Sequence, residues 1–178
     1  LLKNFNILSA KAIILHKGEA YDTQAIENNI GLPCFVKPNR AGSSFGISKV
    51  TASEQWEHAI KEAFKHDNQV LIEAFIDGIE VTCGLIEKEG ELIALPLTEI
   101  TTENDFFDYE AKYEGKSQEI TPARVSDEIK EQVQSISKKI YKTLNLKGLV
   151  RMDYIVEKDQ AYLIEINSIP GLSEESII

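Results

Sequence analysis

Apolar and polar residues follow the two-residue period of β-strands over most of the chain, and three stretches have a helical period instead. In the first third, a helix over 22–29 ends at Gly31, a typical C-cap glycine. Thr51-x-x-Glu54 is a capping-box pattern at the start of a second helix. The predicted order is strand 11–16, helix 22–29, strand 33–38, small-residue loop 39–46, strand 47–50 and helix 53–66.

The remaining residues predict several strands and one long helix. The pattern gives strand 70–76, turn Asp77-Gly78, strand 80–86, turn Glu89-Gly90 and strand 92–100. Residues 101–124 show no sustained period, and a segment of this length is typical of a lid or binding loop. Ser126 then caps a helix whose inward face is formed by Ile129, Val133, Ile136, Ile140 and Leu144.

The composition is that of a soluble globular protein. Of the 178 residues, 43% are hydrophobic and 27% are charged, which is enough for one large domain or two small ones. The net charge of −10 argues against a nucleic-acid partner. No apolar run reaches about 18 residues and no signal-peptide pattern opens the chain, so we expect no membrane partner and a cytoplasmic location.

Cysteine and histidine residues have no predicted chemistry. Cys34 and Cys83 stand apart in apolar surroundings, which is typical of buried free thiols; a disulfide or a nucleophile is the alternative. His16, His58 and His66 form no metal-ligand spacing, and we assign them no role.

The two ends and the middle of the chain indicate its domain organisation. Leu1 is not an initiator methionine and the chain stops on apolar Ile178, so we expect a fragment of a longer protein. A soft domain boundary is expected within 68–78. We place it between 70 and 71, which gives the parts 1–70 and 71–178.

Two predicted strands lie near the end of the chain, on either side of the polar residues 157–160. Each carries two polar residues that are two positions apart. Side chains two apart on a strand share a face. Arg151 therefore shares a face with Asp153, and Glu165 shares a face with Asn167.

The pairing of these strands decides whether the two polar pairs meet. A three-residue loop over 158–160, with Glu157 facing Ala161, places Asp153 opposite Glu165. Opposed carboxylates repel unless a positive charge lies between them, and carboxylates with an amide oxygen are ligands that Mg²⁺ accepts. The alternative is an amphipathic hairpin with a solvated acidic face.

A glycine- and serine-rich loop after a strand that carries Lys37 suggests polyphosphate binding. Glycines let backbone N–H groups converge on an anion, and serines add hydroxyl donors. The candidate donors are Gly42, Ser43, Ser44 and Gly46. The loop matches neither the Walker pattern nor G-x-G-x-x-G, and a hairpin tip is the alternative.

The stretch Glu73-Ala74-Phe75-Ile76 suggests a nucleoside site. A strand can read an adenine edge with its backbone groups, while a carboxylate such as Glu80 reaches the ribose hydroxyls. The alternative is a core strand that ends in a turn.

The order of these motifs resembles the ATP-grasp superfamily and, within it, the D-alanine–D-alanine ligases. The matching motifs are Val36-Lys37-Pro38-x-Arg40-x-Gly42-Ser43-Ser44-x-Gly46, Asp108-Tyr-Glu-Ala-Lys112-Tyr113, Arg151-Met-Asp153 and Glu165-Ile-Asn167-Ser-Ile-Pro170-Gly171. The resemblance spans nearly the whole chain. It implies an α+β ATP-grasp fold in which two subdomains with antiparallel sheets enclose the nucleotide. The small one (1–70) carries the phosphate loop, and the large one (71–178) carries a lid at 101–121 and the metal site.

The resemblance also implies how ATP and metal are held. Residues implied to bind ATP are Lys37, Gly42, Ser43, Ser44, Glu73, Ala74, Ile76, Glu80 and Lys112. Residues implied to coordinate two Mg²⁺ ions, with Mn²⁺ as an alternative, are Asp153, Glu165 and Asn167. Among them, Glu165 bridges the two ions.

The substrate-facing residues follow from the same resemblance. Arg151 and the N–H of Gly171 would stabilise charge on the reacting carboxyl group, and Ser176 would hold the carboxylate of the second D-alanine. Ser43 and Tyr113 would position the substrates.

The implied reaction joins two D-alanines through an acyl phosphate, at the expense of ATP, for peptidoglycan precursors. Relatives of this kind are commonly homodimers and carry a further N-terminal domain that holds the first D-alanine. We therefore expect the chain by itself to bind nucleotide weakly and to have no turnover. Ala41 departs from the family, which often has an acidic residue there.

Three alternatives to this function remain. One is a D-alanine–D-lactate ligase, although the Asp108-Tyr-Glu-Ala-Lys112-Tyr113 motif favours an amine nucleophile. The others are an ATP-grasp ligase for another amino acid and a nucleotide-binding module without catalysis.

Overall fold

The computed structural model describes residues 2–41, 45–102 and 117–172, which form two compact units. Among these residues, the first unit contains 10–41 and 45–76, and the second contains 2–9, 77–102 and 117–172. The boundary after Ile76 lies within the expected range 68–78 but six residues beyond the division at 70 and 71. Strand pairing is the reason, because residues 71–74 belong to a strand in the middle of the first unit's sheet. Residues 2–9, which the division placed in the first part, lie in the second unit.

In its described residues, 10–41 and 45–76, the first unit is a four-stranded antiparallel sheet with two α-helices. Its elements are β1 (Ala12–His16), α1 (Thr23–Ile30), β2 (Cys34–Pro38), β3 (Ser48–Val50), α2 (Trp56–Ala63) and β4 (Gln69–Ala74), and the strand order is β1-β4-β2-β3. The core of this unit comprises Ile26, Ile30, Cys34, Val36, Val50, Trp56, Ala59, Ile60, Ala63, Val70 and Ile72. The predicted order of strands and helices is confirmed here.

The ends of the two helices show how local side chains set their limits. Asp22 caps α1 by accepting the N–H of Gln24 at 2.9 Å, and the helix ends at Gly31 with φ +85°. The capping box predicted at Glu54 is wrong by one residue, because the side chain that accepts the N–H of Ala52, at 3.1 Å, is Gln55.

The described residues of the second unit form a six-stranded antiparallel sheet with one long helix. Its elements are β5 (Ile79–Lys88), β6 (Glu91–Ala94), β7 (Thr98–Thr102), β8 (Ser117–Ile120), α3 (Asp127–Thr143), β9 (Val150–Glu157) and β10 (Gln160–Asn167). The strand order is β10-β9-β5-β7-β8, and β6 also pairs with β5. The strand predicted over 92–100 is two strands. The pairing of β6 with β5 ends with the N–H of Leu95, which donates to the carbonyl of Gly84 at 2.8 Å, and β7 begins at Thr98.

The segment expected to lack regular structure, 101–124, contains the end of β7 and the whole of β8. β8 was not predicted; it pairs with the end of β7, where Thr101 faces Gln118. Residues 103–116, which include most of the predicted lid, lie outside the described residues. No helix among the described residues is long and apolar enough to span a membrane.

The helix α3 covers one face of the second sheet and closes its core. Ser126 caps it by accepting the N–H of Ile129 at 3.3 Å, as predicted. The buried core residues are Ile7, Val81, Cys83, Leu85, Leu97, Ile129, Val133, Ile140, Tyr141, Val150, Met152, Tyr154, Val156, Ala161 and Leu163. Of the five residues predicted to face inward, Ile136 and Leu144 pack at the margin of this core. Cys34 and Cys83 are buried free thiols, as expected.

The β9-β10 hairpin reaches the predicted pairing by a different route. Its loop has two residues, Lys158 and Asp159, both with positive φ, and Gln160 pairs with Glu157; the three-residue loop was wrong. A register shift between Leu163 and Glu165 then inserts one extra residue.

The bulge has a packing reason. Leu163 and Ile166 both pack in or against the core, and residues three apart share a face of a strand only where an extra residue intervenes. Beyond the bulge, Asp153 faces Glu165 and Asn167 faces Arg151, as predicted.

An ion pair joins β7 to the segment after β8. The guanidinium of Arg124 donates to Glu99 at 2.9 Å from Nε and at 2.6 Å from Nη2, and its backbone N–H donates at 3.0 Å. The side chain of Glu99 is only 6% exposed. These hydrogen bonds outweigh desolvation and lower the pKa of Glu99.

Replacing the turn tests the two-residue loop. Lys158→Asn with Asp159→Gly should raise the free energy of unfolding in urea by about 0.5–1 kcal/mol, because Asn-Gly accepts positive φ at both positions. The same pair placed one residue later, Asp159→Asn with Gln160→Gly, should lower it, since Gln160 is a strand residue. The opposite ranking would contradict the observed loop.

Replacing Glu99 tests the buried ion pair. Glu99→Gln should lower the free energy of unfolding at pH 7 by about 1–3 kcal/mol. Since the pKa of Glu99 is lowered in the folded state, its contribution is present above the unfolded pKa and is lost as pH falls through the folded pKa. The difference from wild type should therefore shrink in acid.

Urea unfolding at several pH values measures this difference. Lys130→Ala is the control, because it removes an ion pair with Asp127 that is exposed and should change stability by less than about 1 kcal/mol. Equal effects of the two substitutions would contradict the assignment.

Candidate functional site

The face of the second sheet that lies opposite α3 carries a group of polar residues. Directly paired residues in an antiparallel sheet point to the same face. Thr82 pairs with both Thr98 and Asp153, and Asp153 also pairs with Glu165. In the next row, Arg151 lies between Gly84 and Asn167. The four residues predicted on this hairpin therefore lie side by side on one face.

Arg151 and Asp153 form the centre of this group. Arg151 donates to the two carboxylate oxygens of Asp153 from Nε at 2.8 Å and from Nη2 at 2.9 Å. Asn167 Nδ2 donates to Asp153 Oδ2 at 2.9 Å. The Arg151 and Asp153 side chains are 16% and 10% exposed, so the ion pair is largely shielded from water.

The positive charge of Arg151 is stabilised by its surroundings. Burial disfavours the charged guanidinium, but the hydrogen bond with Asp153 and the negative charges of Asp153, Glu165 and Glu80 outweigh it and raise the pKa of Arg151. Arg151 therefore remains a fixed cation beside the paired carboxylates.

Glu165 differs from Asp153 in its exposure. It lies directly after the bulge and is exposed, and it accepts no hydrogen bond from the described residues. Asp153, in contrast, accepts three hydrogen bonds, out of about four lone-pair positions of a carboxylate. The face thus combines one carboxylate that is held in place with one that is open to a ligand.

The donor set fits a hard divalent cation. Asp153 retains one acceptor position and Glu165 retains its full set. Since Asn167 donates from Nδ2, its amide oxygen is left as an acceptor. Two carboxylates and an amide oxygen are oxygen ligands that Mg²⁺ accepts. Among the described residues, no group of three or more His, Cys, Asp or Glu side chains gathers, so a cation bound here would need the Asn167 amide oxygen as its third protein ligand.

Two residues on this face were not singled out from the sequence. Thr82 is 1% exposed and lies directly opposite Asp153. Glu119 on β8 and Glu80 on β5 both pair with Ile100, so they share the face. Desolvation raises the pKa of Glu119, and the charge of Arg151 opposes this. Glu119 falls in a segment without a recognisable period, so no sequence pattern indicated it.

In the first unit, α1 and α2 pack on one face of the sheet, and the opposite face carries charged and aromatic residues. Lys37 forms an ion pair with Glu73, and both side chains are about four-fifths buried. Phe35 and Phe75 are 5.9 Å apart between ring centroids, and Lys49 Nζ lies 4.7 Å from the Phe75 centroid. The sequence did not predict Phe35, Lys49 and Phe75 as site residues. Strand alternation could have placed Phe35 on the face of Lys37, and Phe75 on the face of Glu73.

The residues that were expected to bind adenosine belong to different units. Glu73, Ala74 and Ile76 lie in the first unit, whereas Glu80 lies in the second. The N–H of Ala74 already donates to the carbonyl of Lys11 at 2.9 Å. This N–H is therefore engaged within the sheet.

Several predicted site residues lie outside the described part of the chain. They are Gly42, Ser43, Ser44, Lys112, Tyr113 and Ser176. Gly171 is described and lies exposed after the end of β10.

Comparison with known proteins shows one family over the whole chain. The family described as D-ala D-ala ligase C-terminus matches residues 1–178. The chain is 52% identical over 178 residues to a D-alanine–D-alanine ligase of Flavobacterium johnsoniae and 46% identical to one of Phocaeicola vulgatus. These alignments cover 100% and 99% of the chain. The chain spans 55% of the length of each relative, and thus about half.

Solved structures show the same fold. The VanG D-Ala:D-Ser ligase from Enterococcus faecalis superposes with a TM-score of 0.86 at 36% identity, covering 99% of this chain and 52% of that one. The D-alanine–D-alanine ligase from Bacillus anthracis gives 0.83 at 31% identity, covering 99% and 56%. The same Bacillus anthracis ligase complexed with ATP gives 0.81 at 27% identity, covering 99% and 54%.

The family match covers every residue of the chain, and the α+β arrangement of antiparallel sheets is that of ATP-grasp D-alanine ligases. The resemblance drawn from the motifs is thereby confirmed. The chain belongs to the D-alanine–D-alanine ligase C-terminal family.

Proposed function

We propose that the protein containing this chain ligates two D-alanines to D-alanyl-D-alanine, using ATP, for peptidoglycan precursors. The observation that carries the proposal is the hydrogen-bonded group of Arg151, Asp153 and Asn167 opposite Glu165, in a chain of this family. A nucleotide-binding module without catalysis would have no need of a largely buried arginine that is ion-paired to one of two opposed carboxylates.

ATP is the proposed energy source because a carboxylate oxygen is a poor leaving group. Transfer of a phosphoryl group to the carboxylate of the first D-alanine gives an acyl phosphate and ADP, and the amine of the second D-alanine then displaces phosphate. In the first step the negative carboxylate must approach the negatively charged phosphates, and in the second step attack by the amine places negative charge on the carbonyl oxygen. The relative complexed with ATP supports this choice of nucleotide.

The chain's own residues would act on that charge. Arg151 is held at a fixed orientation by two hydrogen bonds to Asp153, so its position needs no reorganisation as charge develops. We assign the N–H of Gly171 to the same role, as a hydrogen-bond donor to the reacting carboxyl group. Lys37, Lys112 and the loop residues Gly42, Ser43 and Ser44 would hold the ATP phosphates, and Glu73, Ala74, Ile76 and Glu80 the adenosine.

Asp153, Glu165 and Asn167 would hold Mg²⁺, with Mn²⁺ as an alternative. When bound, the metal would neutralise phosphate charge and favour phosphoryl transfer. Ser176 would hold the carboxylate of the second D-alanine, and Ser43 and Tyr113 would position the substrates. We further propose a cytoplasmic homodimer for the full-length protein.

A product assay on the full-length protein tests the proposal. Incubation with ATP, Mg²⁺ and D-alanine should release ADP and give D-alanyl-D-alanine by mass spectrometry. Adding D-lactate or D-serine as a competitor tests the second substrate, since one structural relative is a D-Ala:D-Ser ligase. If the mixed product dominates, the second substrate is D-lactate or D-serine instead of D-alanine. If no ATP-dependent ligation occurs, the proposal is overturned.

Removing the open carboxylate tests the metal assignment. Glu165→Gln in the full-length protein should lower kcat by about 100-fold or more and raise the Mg²⁺ concentration needed for half-maximal rate, because one charged oxygen ligand is lost. ADP release at a series of Mg²⁺ concentrations measures both effects.

Glu157→Gln is the matched control. Glu157 lies on the same hairpin beside the turn and pairs with Gln160, so its loss should leave kcat within about twofold of wild type. Unchanged activity in Glu165→Gln would remove Glu165 from the metal set.

A further inference from the structure

The residues that precede the first unit run beside the outer edge of β10. This strand lies at one end of the sheet order, and β9 pairs with its inner edge. Ser9 forms an isolated parallel bridge with Leu163, and the N–H of Leu163 donates to the carbonyl of Leu8 at 2.9 Å. An N–H on the outer edge of a sheet is otherwise left to solvent. The chain near Leu8 therefore holds β10 at Leu163 from the side opposite to β9.

The point of attachment lies directly before the bulge in β10. Leu163 pairs with Tyr154, and the next residue that pairs regularly is Glu165, opposite Asp153. A bulge leaves its extra residue unpaired and disrupts the ladder locally. Pairing with β9 alone therefore fixes Glu165 less firmly than a residue in an uninterrupted ladder. The hydrogen bond to Leu163 adds a fixed point two residues before this carboxylate.

Residues 5–9, which we call the 5–9 segment, are attached to the second unit at two further places. Ile7 is 4% exposed and belongs to the core that α3 covers, and Phe5 packs against the same core. Lys139 on α3 donates from Nζ to the carbonyl of Phe5 at 2.7 Å. The 5–9 segment is thus held by the core and by α3, and it holds β10 in turn.

Core packing explains why Ile7 is buried, but it does not explain the contact with β10. Leu8 is 42% exposed, so its side chain adds little hydrophobic stabilisation, and its contribution to the contact is the carbonyl group. A single backbone hydrogen bond contributes modestly to stability, but it sets a distance and a direction. The main effect of this contact is therefore on the position of Leu163.

We propose that the 5–9 segment positions Glu165 for metal binding, and that Ile7 is the residue that anchors the segment. The segment fixes β10 at Leu163, before the bulge, and the pairing of Asn167 with Arg151 fixes it beyond the bulge. A carboxylate on a strand that is held on both sides loses less conformational freedom when it binds a cation. The inference rests on the proposed function in one respect, which is that Glu165 is a ligand of the metal.

Amide hydrogen exchange in the full-length protein, without metal or nucleotide, tests the attachment. Ile7→Ala should raise the exchange rate of the backbone amides of 163–167 by about tenfold or more, because the segment loses its anchor. Ile7→Val keeps most of the side chain and should limit the rise to about threefold.

Ile129→Ala is the matched control for Ile7→Ala. Ile129 is also 4% exposed and belongs to the same core, but it lies in the first turn of α3. Its truncation removes the same atoms from the core without releasing the 5–9 segment. The exchange rate of 163–167 should therefore rise by less than about threefold.

The Mg²⁺ dependence of ligation gives a second readout. Since a displaced Glu165 would bind the metal less well, Ile7→Ala should raise the Mg²⁺ concentration for half-maximal rate by about tenfold, as for other losses of support to a metal ligand. The KM for D-alanine should change by less than about twofold. Ile129→Ala should leave both values within about twofold of wild type.

Lys139→Ala tests the same attachment without changing the core, and it keeps the test open if Ile7→Ala does not fold. It removes the hydrogen bond to Phe5 and should raise both the exchange rate of 163–167 and the half-maximal Mg²⁺ concentration by about two- to fivefold. Lys138→Ala is its control, because Lys138 is the adjacent residue on α3 and is also exposed. It should change neither value.

Three results would overturn the inference. They are an unchanged exchange rate of 163–167 in both Ile7→Ala and Lys139→Ala, equal effects of Ile7→Ala and Ile129→Ala on the Mg²⁺ dependence, and equal effects of Lys139→Ala and Lys138→Ala. The proposed function fails separately. If exchange rises as expected but Glu165→Gln leaves the Mg²⁺ dependence unchanged, the attachment stands and only the metal assignment is contradicted.

Discussion

The rest of the second unit depends on the ion pair between Arg151 and Asp153. Both side chains are more than four-fifths buried, and a buried charge without a partner costs several kcal/mol. Removing either side chain would leave the other as a buried charge without its partner. Asn167 completes the group only because the register of β10 places it opposite Arg151. A slip of one residue would exchange Glu165 for Ile164 on this face and move an apolar side chain toward two charges.

The same strands build the core and the candidate site. On β9, Met152 and Tyr154 point toward α3 and are fully buried, whereas Arg151 and Asp153 point to the other face. The hydroxyl of Tyr154 is satisfied by Ser137 at 2.7 Å, so the core side leaves this polar group paired. Because alternation ties the two faces together, packing against α3 holds the polar face in place.

The first unit divides its sheet in the same way. Val36 and Ile72 are fully buried beneath the helices, while Lys37 and Glu73, their neighbours along β2 and β4, pair on the other face. The end of α2 adds a second constraint, because Gln69 at the start of β4 accepts the N–H of Asn39, and His66 in the turn after α2 contacts the ring of Phe45. These contacts link the positions of Asn39 and Phe45 to the packing of α2.

The sequence by itself determined the helices, most of the strands and the residues that share a face, because these follow from local periods of two and 3.6 residues. It also gave the correct partners for Asp153 and Arg151, but from a wrong loop length. Lys158-Asp159 lacks the Asn-Gly signal of a two-residue turn. The bulge restores the register because it lets Leu163 and Ile166 both pack in or against the core. The contact of His66 with Phe45 has no local pattern either, since the two residues are distant in sequence. Such features depend on packing between elements, and only the tertiary structure decided them.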